Sequence, residues 1–127
     1  MAYKHTDLTK AIIGAFYDVY NALGYGFLEK VYENALVYEL RKRGFEVRQQ
    51  QPIKVIYDGV EVGEYFADLL VNQQVIVELK ATKSISPEHE AQLVNYLKAT
   101  NIDVGLVLNF GPKPQVRRKI FEASRKN

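Results

Sequence analysis

The chain has 127 residues, a formal net charge of +2 and no cysteine. This length suits one domain with a single sizeable core, and the lack of cysteine excludes disulfides, thiolate nucleophiles and cysteine-based zinc sites. Two histidines are too few for a histidine metal cage. No segment has the apolar core of a signal peptide or the length of a membrane span. We therefore expect one soluble, cytoplasmic domain over residues 1–127 without membrane contact.

Helical periodicity dominates the N-terminal third. Apolar residues at helical spacing predict a first helix over Thr6 to Leu23, followed by the helix-ending glycines of Gly24-Tyr25-Gly26. A second helix is predicted from about Leu28 to Arg43, since Gly44 is a natural C-terminal stop. The chain therefore begins with two helices.

The middle of the chain has the composition and spacing of strands. Phe45 to Tyr57 is strand-like, and the following Asp58-Gly59 is a strong signal for a two-residue hairpin turn. Val60 to Val71 and Val75 to Lys80 complete a meander of about three strands.

The C-terminal third adds a helix and at least one strand. Ser86 is the predicted N-cap of the helix, which carries Pro87 in its first turn and ends near Thr100. Val104 to Phe110 is a continuous apolar run, typical of a strand buried on both faces. Val116 to Phe121 is either a further strand or a short helix. The predicted order is helix, helix, three strands, helix, strand.

Positive charge is concentrated at the C-terminal end. Residues 112–127 contain six basic residues and one acidic residue, whereas the other residues contain 11 basic and 14 acidic ones. A basic tail is typical of contact with a polyanion, because neutralised phosphates release counterions. A solvated basic terminus is the alternative. The candidate nucleic-acid contacts are Lys113, Arg117, Arg118 and Lys119.

The connection Asn72-Gln73-Gln74 sets the register of the two strands around it. A three-residue connection pairs Val71 with Val75 and Asp68 with Glu78. A two-residue connection would divide the charged residues between both faces, which a buried sheet resists. The predicted apolar face consists of Ala67, Leu69, Val71, Val75, Val77 and Leu79. The predicted charged face combines Asp68, Glu78 and Lys80 with Phe66, Leu70 and Ile76.

A cluster of Asp68, Glu78 and Lys80 has two interpretations. Converging carboxylates repel each other unless a cation lies between them, and hard oxygen ligands suit Mg²⁺ or Mn²⁺. A neighbouring lysine can orient or help deprotonate an attacking water and can stabilise charge on a phosphoryl oxygen. The alternative is a salt bridge in which Lys80 neutralises one or both acids.

Both flanking helices carry polar residues that bear on this choice. In the second helix, Glu29, Tyr32 and Glu33 share one face, although Glu29 also complements the helix dipole in the first turn. In the third helix, Gln92 and Tyr96 lie one turn apart, and a local hydrogen bond is the structural alternative for Gln92.

The combination of these pieces resembles the PD-(D/E)XK nuclease superfamily. Its elements here are Asp68, Glu78-Leu-Lys80, a preceding helical Glu29, and Gln92-Leu-Val-Asn-Tyr96. The stretch Gly26-Phe-Leu-Glu29-Lys-Val-Tyr32 also matches the motif that names the GxxExxY family of that superfamily. The match continues through Ala67 to Val71, Val77 to Ala81, Ala91 to Leu97 and Leu108 to Gly111, and it spans roughly residues 8 to 121. The proline of the superfamily's name is absent, since Phe66-Ala67 precedes Asp68.

The resemblance implies a fold and a site. The fold is α/β (α+β), with a restriction-endonuclease-like core, a mixed sheet of about four strands in the order ααβββαβ, flanking helices and the acids at one sheet edge. Asp68, Glu78 and the Leu79 carbonyl would bind Mg²⁺ or Mn²⁺, and Glu29 would hold a metal-bound water or second ion. Lys80 would position the hydroxide or stabilise the pentacovalent phosphate. Further implied roles are orientation of Lys80 or contact with the nucleic-acid backbone for Gln92, and support of the site for Tyr96 and Tyr32.

Three functions follow from these interpretations. The first is metal-dependent hydrolysis of phosphodiester bonds in nucleic acid, DNA more than RNA. The second is a catalytically silent module of the same fold that acts as a nucleic-acid or protein-binding subunit. The third is a domain whose charged cluster is only a salt-bridge network. Nine tyrosines and six phenylalanines also leave aromatic residues for the interface of a homodimer.

Overall fold

The structure, a computed structural model, describes residues 5–122. This part of the chain contains three helices and five strands. They are α1 (Thr6–Leu23), α2 (Glu29–Lys42), β1 (Val47–Tyr57), β2 (Val60–Val71), β3 (Val75–Lys80), α3 (Pro87–Lys98), β4 (Val104–Phe110) and β5 (Pro114–Ile120). The predicted order is confirmed, and β5 decides the C-terminal alternative in favour of a strand. Part of the predicted basic tail therefore lies in the sheet, while Arg125 and Lys126 lie outside the described residues.

The strands form one mixed sheet in the order β1-β2-β3-β4-β5. β3 and β4 are parallel and are connected through α3, whereas the other neighbouring pairs are antiparallel. This is the predicted α+β architecture with a mixed central sheet flanked by helices, built on five strands where about four were expected. β4 is buried along its whole length, as its continuous apolar sequence predicts.

Helices cover both faces of the sheet. The core on the side of α1 and α2 includes Phe16, Tyr32, Leu36, Leu69, Val77 and Leu106. The core on the side of α3 includes Leu70, Ile76, Leu93, Leu97 and Val107. Since each fully buried side chain of this size contributes about 1.5–3 kcal/mol, these two cores hold the sheet between the helices. None of the helices within residues 5–122 is long and apolar enough to cross a membrane.

The helix cap and the hairpin turn form at the residues that the sequence predicts. Ser86 caps α3, since its hydroxyl accepts the His89 N–H at 3.2 Å and the His89 ring accepts the Ser86 N–H at 3.2 Å. Asp58 and Gly59 take positive φ values of 53° and 77°, which the two central residues of a type I′ hairpin turn require. His89 therefore has a structural role at the start of α3.

The β1–β2 hairpin does not keep one face towards one core. Leu69 packs on the side of α1 and α2, but Ala67 packs with the core under α3. The prediction that Ala67 and Leu69 share a face is therefore wrong. The alternation breaks beside Gln50, whose φ of 54° is left-handed and which lies between the pairs Gln49–Leu69 and Gln51–Ala67. The paired strand β1 changes face at the same place, since Val47 packs with the first core and Ile53 with the second, and a residue with a left-handed φ interrupts the alternation of side chains.

The loop that follows β3 is held against the end of β4. Asn109 is fully buried, and its side chain accepts the Thr82 N–H at 2.9 Å and donates to the Thr82 carbonyl at 3.0 Å. A Cβ atom at Gly111 would lie 2.1 Å from the same carbonyl oxygen, so glycine is needed for this close approach. These contacts fix the chain directly after Lys80.

Candidate functional site

β2 and β3 separate at the two predicted acids. Their ladder runs from Val71–Val75 to Leu69–Val77, in the register that the three-residue connection predicts, and ends one pair before Asp68 and Glu78. Here side chains replace the backbone bonds. Glu78 Oε2 accepts the Asp68 N–H at 2.7 Å, and Asp68 Oδ2 accepts the Leu79 N–H at 2.8 Å. The expected Asp68–Glu78 strand pairing is thus replaced by two crossed bonds that orient both carboxylates.

Both acids are ionised only at an energetic cost. Burial raises the pKa of Glu78, which is 6 % exposed, and the charge of Asp68 raises it further, to about 8. Burial also raises the pKa of Asp68, and the charges of Glu33 and Glu29 add to this effect. Buried like charges held this close are typical of sites that bind a cation or carry a proton.

The donor set fits a hard divalent cation. Mg²⁺ is commonly bound by one or two carboxylates, with water and substrate phosphate in the remaining positions, and Asp68 and Glu78 supply two such carboxylates. Across residues 5–122, no group of three His, Cys, Asp or Glu side chains is arranged to hold a metal ion. An ion at this cluster would therefore need ligands from solvent or substrate.

Lys80 lies beside the acids without neutralising them. It is half-buried and its charge lowers the pKa of Glu78. Within the described part of the chain it forms no ion pair with either acid. The salt-bridge interpretation therefore does not describe this cluster, and the ammonium group remains available to another anion.

A buried acid that the sequence analysis did not assign to the site supports Asp68. Glu33 is 5 % exposed, and its carboxylate accepts bonds from Gln49 at 2.9 Å, from Lys30 at 3.0 Å and from Gln50 at 3.2 Å. The same Gln50 Nε2 lies 3.4 Å from Asp68 Oδ1. Gln50 therefore bridges Glu33 and Asp68 with one amide group.

One signal for Glu33 is present in the sequence. It lies three and four residues before Leu36 and Val37, which are both buried, so helical spacing places this acid on the apolar face of α2. A carboxylate on a buried helical face needs hydrogen-bond donors or cations beside it. Gln50 carries no comparable signal, because it is one of three consecutive glutamines and only the packed structure shows its left-handed φ.

The two residues predicted from the GxxExxY motif have different surroundings. Glu29 is exposed in the first turn of α2, and its charge raises the pKa of Asp68 and Glu78, so it lies within electrostatic reach of both. Tyr32 is fully buried; its hydroxyl donates to the Gly24 carbonyl at 2.6 Å and accepts the Phe27 N–H at 3.1 Å. Tyr32 therefore supports the loop between α1 and α2.

α3 places Tyr96 next to the acids. Burial, with the charges of Glu78 and Asp68, raises the pKa of Tyr96 to about 12, so its hydroxyl keeps its proton and can donate. Gln92, one turn earlier, lines a groove between α3 and the β1–β2 hairpin. No hydrogen bond joins Gln92 to Lys80 among residues 5–122, so the implied orientation of Lys80 by Gln92 is not observed.

The predicted polyanion contacts are only partly available. Arg117 and Lys119 lie 3.8 Å and 2.6 Å from carboxylate oxygens of Glu90 on α3, so these two cations tie β5 to the helix. Arg118 lies between them and faces the other side of the sheet. Lys113 is exposed just before β5, at the same end of the sheet as the acids.

Matches among solved structures include the following two. The crystal structure of SSO0001 has a TM-score of 0.54 and 13 % identity, covering 73 % of this chain and 50 % of that chain. The chain thus spans half the length of that protein, and the likeness concerns the fold. The Holliday junction resolvase Hjc of Archaeoglobus fulgidus has a TM-score of 0.42 and 22 % identity, covering 70 % of this chain and 72 % of that chain. No curated protein sequence matches the chain.

The sequence match to a family is more extensive. The model of the PD-(D/E)XK nuclease superfamily matches residues 6–119, which include every element from α1 into β5. The predicted superfamily is confirmed by this match, and the structure brings Asp68 and Glu78 of its motif together. The chain belongs to the PD-(D/E)XK nuclease superfamily.

Proposed function

We propose that this protein is a metal-dependent nuclease that hydrolyses phosphodiester bonds in nucleic acid, with DNA as its substrate. The observation that carries the proposal is the crossed pair of Asp68 and Glu78, because both carboxylates are held together at raised pKa. Lys80 lies beside them without an ion pair in the described residues. Membership of a nuclease superfamily supports the same activity.

The proposed roles follow from these positions. Asp68 and Glu78, with the Leu79 carbonyl, would hold Mg²⁺ or Mn²⁺, which when bound supplies a Lewis acid and lowers the pKa of water. Lys80 would stabilise the negative charge that develops on the phosphoryl oxygens as the P–O bond breaks. Gln50, held by Glu33, would keep Asp68 in its orientation.

Other parts of the site have supporting roles in this proposal. Glu29 would hold a water molecule at the N-terminus of α2, where it lies within electrostatic reach of both acids. Gln92 would contact the nucleic-acid backbone, and Lys113 would contact a phosphate outside the site.

We also infer membership of the GxxExxY family from the Gly26–Tyr32 motif, and a homodimer remains a prediction.

A cleavage assay with a matched pair of variants tests the function. We expect the native protein to cleave end-labelled DNA in Mg²⁺ or Mn²⁺, EDTA to stop the reaction, and Asp68→Asn to show no detectable cleavage. Asp58→Asn is the control, because it makes the same change in an exposed hairpin turn where asparagine also accepts a positive φ. Binding of nucleic acid without cleavage under all conditions would instead support the silent binding subunit.

Gln50→Gly is expected to retain or increase stability while weakening metal binding. Glycine adopts a φ near 54° without strain, which offsets its greater freedom in the unfolded chain, and such strain is on the order of 1 kcal/mol. Loss of the amide removes the bridge to Asp68, and changes around metal ligands cost about 10- to 100-fold in affinity.

Thermal unfolding and Mg²⁺ titration calorimetry check the two effects separately. Gln49→Ala is the control, since Gln49 also donates to Glu33 but has no bond to Asp68. It should weaken metal binding less. Equal affinities of the two variants would contradict the assigned role of Gln50.

A further inference from the structure

A groove of about 630 Å³ opens between α3 and the outer part of the β1–β2 hairpin. Its lining includes Val55, Tyr65, Glu88, Gln92, Asn95 and Tyr96. The groove adjoins the acid cluster, because Tyr96 in its wall packs in the same buried core as Ala67, the residue that directly precedes Asp68. A ligand in the groove would therefore lie beside the site proposed for phosphodiester cleavage.

The lining combines an aromatic surface with uncharged polar groups. The rings of Tyr65 and Tyr96 pack with centroids 5.7 Å apart, yet Tyr65 stays 50 % exposed and leaves part of its ring accessible. Gln92 and Asn95 lie three residues apart on α3, and each side chain carries an amide that both donates and accepts hydrogen bonds. Lys98 and Glu88 add one charge of each sign, so the groove itself does not favour a string of phosphates.

We propose that this groove receives an unpaired nucleobase of the substrate, and that the protein thereby prefers nucleic acid with a single-stranded segment next to a duplex. A base is planar, stacks on an exposed aromatic ring such as that of Tyr65 and presents donors and acceptors at its edge for an amide side chain such as that of Asn95. A paired base within a duplex is already stacked and offers neither face. The volume lies in the range of sites that bury small ligands. The inference rests on the proposed nuclease function, because it specifies the substrate of that site.

Two tyrosines of the same hairpin provide a matched test. Tyr65 lines the groove, whereas Tyr57 is 74 % exposed at the turn and is not part of the lining. We would measure fluorescence anisotropy in EDTA, which prevents cleavage, with a blunt duplex and with the same duplex carrying a 3′ single-stranded overhang. The overhang carries 2-aminopurine next to the duplex, so stacking of that base is read directly from its emission.

We expect the native protein to bind the overhang substrate about tenfold more tightly than the blunt duplex and to quench the 2-aminopurine. Tyr65→Ala should lose both effects and bind the blunt duplex as the native protein does. Tyr65→Phe, which keeps the ring and its packing, should retain both effects, and so should Tyr57→Ala. Loss of blunt-duplex binding in Tyr65→Ala while Tyr65→Phe is native-like would make the Tyr65 ring part of general duplex binding and would overturn the assignment.

Other results separate this inference from the proposed function. Equal binding of both substrates by the native protein would overturn the groove assignment and leave the nuclease proposal standing. Equal effects of Tyr65→Ala and Tyr57→Ala would assign binding to the general hairpin surface. If Tyr65→Ala changes only self-association of the protein, the groove is an interface between copies. Binding of neither substrate, with no cleavage in Mg²⁺, would overturn both proposals.

Discussion

Glu78→Gln is expected to abolish cleavage, to weaken divalent-metal binding by more than about 100-fold, and to stabilise the metal-free protein at alkaline pH. The first two effects follow from the loss of one of two carboxylates in the proposed metal site. The third follows from the burial of Glu78 next to Asp68. Glutamine keeps an oxygen that can accept the Asp68 N–H, so the local structure should persist.

The pH dependence follows from the direction of the shift. The pKa of Glu78 is about 8 in the folded protein, against an ordinary value of 4.5. Between these values the folded state holds a proton that the unfolded chain has released, so stability falls as the pH rises through this interval. The stabilisation that comes from protonated Glu78 is therefore fully present below about pH 4.5. Since a tenfold change in proton affinity corresponds to about 1.4 kcal/mol, we expect the decline to reach a few kcal/mol.

Urea unfolding from pH 4.5 to 9 in EDTA measures this decline. The native protein should lose stability over the whole range, whereas Glu78→Gln should keep only the smaller decline that comes from the raised pKa of Asp68. Glu64→Gln, an exposed acid in the hairpin, should behave like the native protein. Mg²⁺ should restore stability to the native protein most strongly at high pH, because it binds ionised carboxylates. Parallel curves for native protein and Glu78→Gln would exclude a buried, protonated Glu78.

Lys80→Met is expected to reduce cleavage by about 100- to 1000-fold, the range observed when one group that stabilises transition-state charge is removed. Methionine occupies a similar volume at this half-buried position, so folding should persist. Lys80 lowers the pKa of Glu78, and its loss therefore favours the protonated acid. Metal binding should still be retained when it is measured at pH 9, which is above the pKa of about 8 that Glu78 has in the native protein, because the cation itself favours the ionised carboxylates.

Single-turnover cleavage and Mg²⁺ titration, both at pH 9, distinguish a role in chemistry from a role in structure. Lys83→Met is the control, because Lys83 is exposed in the loop that follows β3, three residues after Lys80, and has no assigned role. It should cleave as the native protein does. If Lys80→Met loses metal binding to the same extent as cleavage, Lys80 acts on the geometry of the acids instead of on the phosphate.

The arrangement of this site links its fold to its proposed chemistry. The separation of β2 and β3 releases two backbone N–H groups, and the carboxylates of Asp68 and Glu78 bind them. Each acid thereby gains a fixed orientation, and its second oxygen can still bind another ligand, although in Asp68 this oxygen also accepts the Gln50 amide at 3.4 Å. Burial raises the pKa of both acids, and under the proposed function a bound cation would replace the protons that they carry.

Local sequence patterns determined most of the elements. The predicted bounds of the first helix are those of α1, and Asp58-Gly59 forms the expected turn. Periodicity, caps and turn residues act over a few neighbouring positions, so they are readable without knowledge of distant contacts. The register of Leu69 with Val77 was predictable for the same reason, because a short connection and an apolar face determine it.

The sequence by itself therefore determined all elements but the last strand, the superfamily motif and the pairing that brings Asp68 near Glu78. Only the tertiary structure decided that the ladder ends before these acids, that Gln50 joins Glu33 to Asp68, and that Ala67 turns to the other core. The residues bridged by Gln50 lie on α2 and β2, and their contact depends on how α2 packs against a twisted hairpin. Such contacts arise from the shape of the packed sheet, which no short stretch of sequence contains.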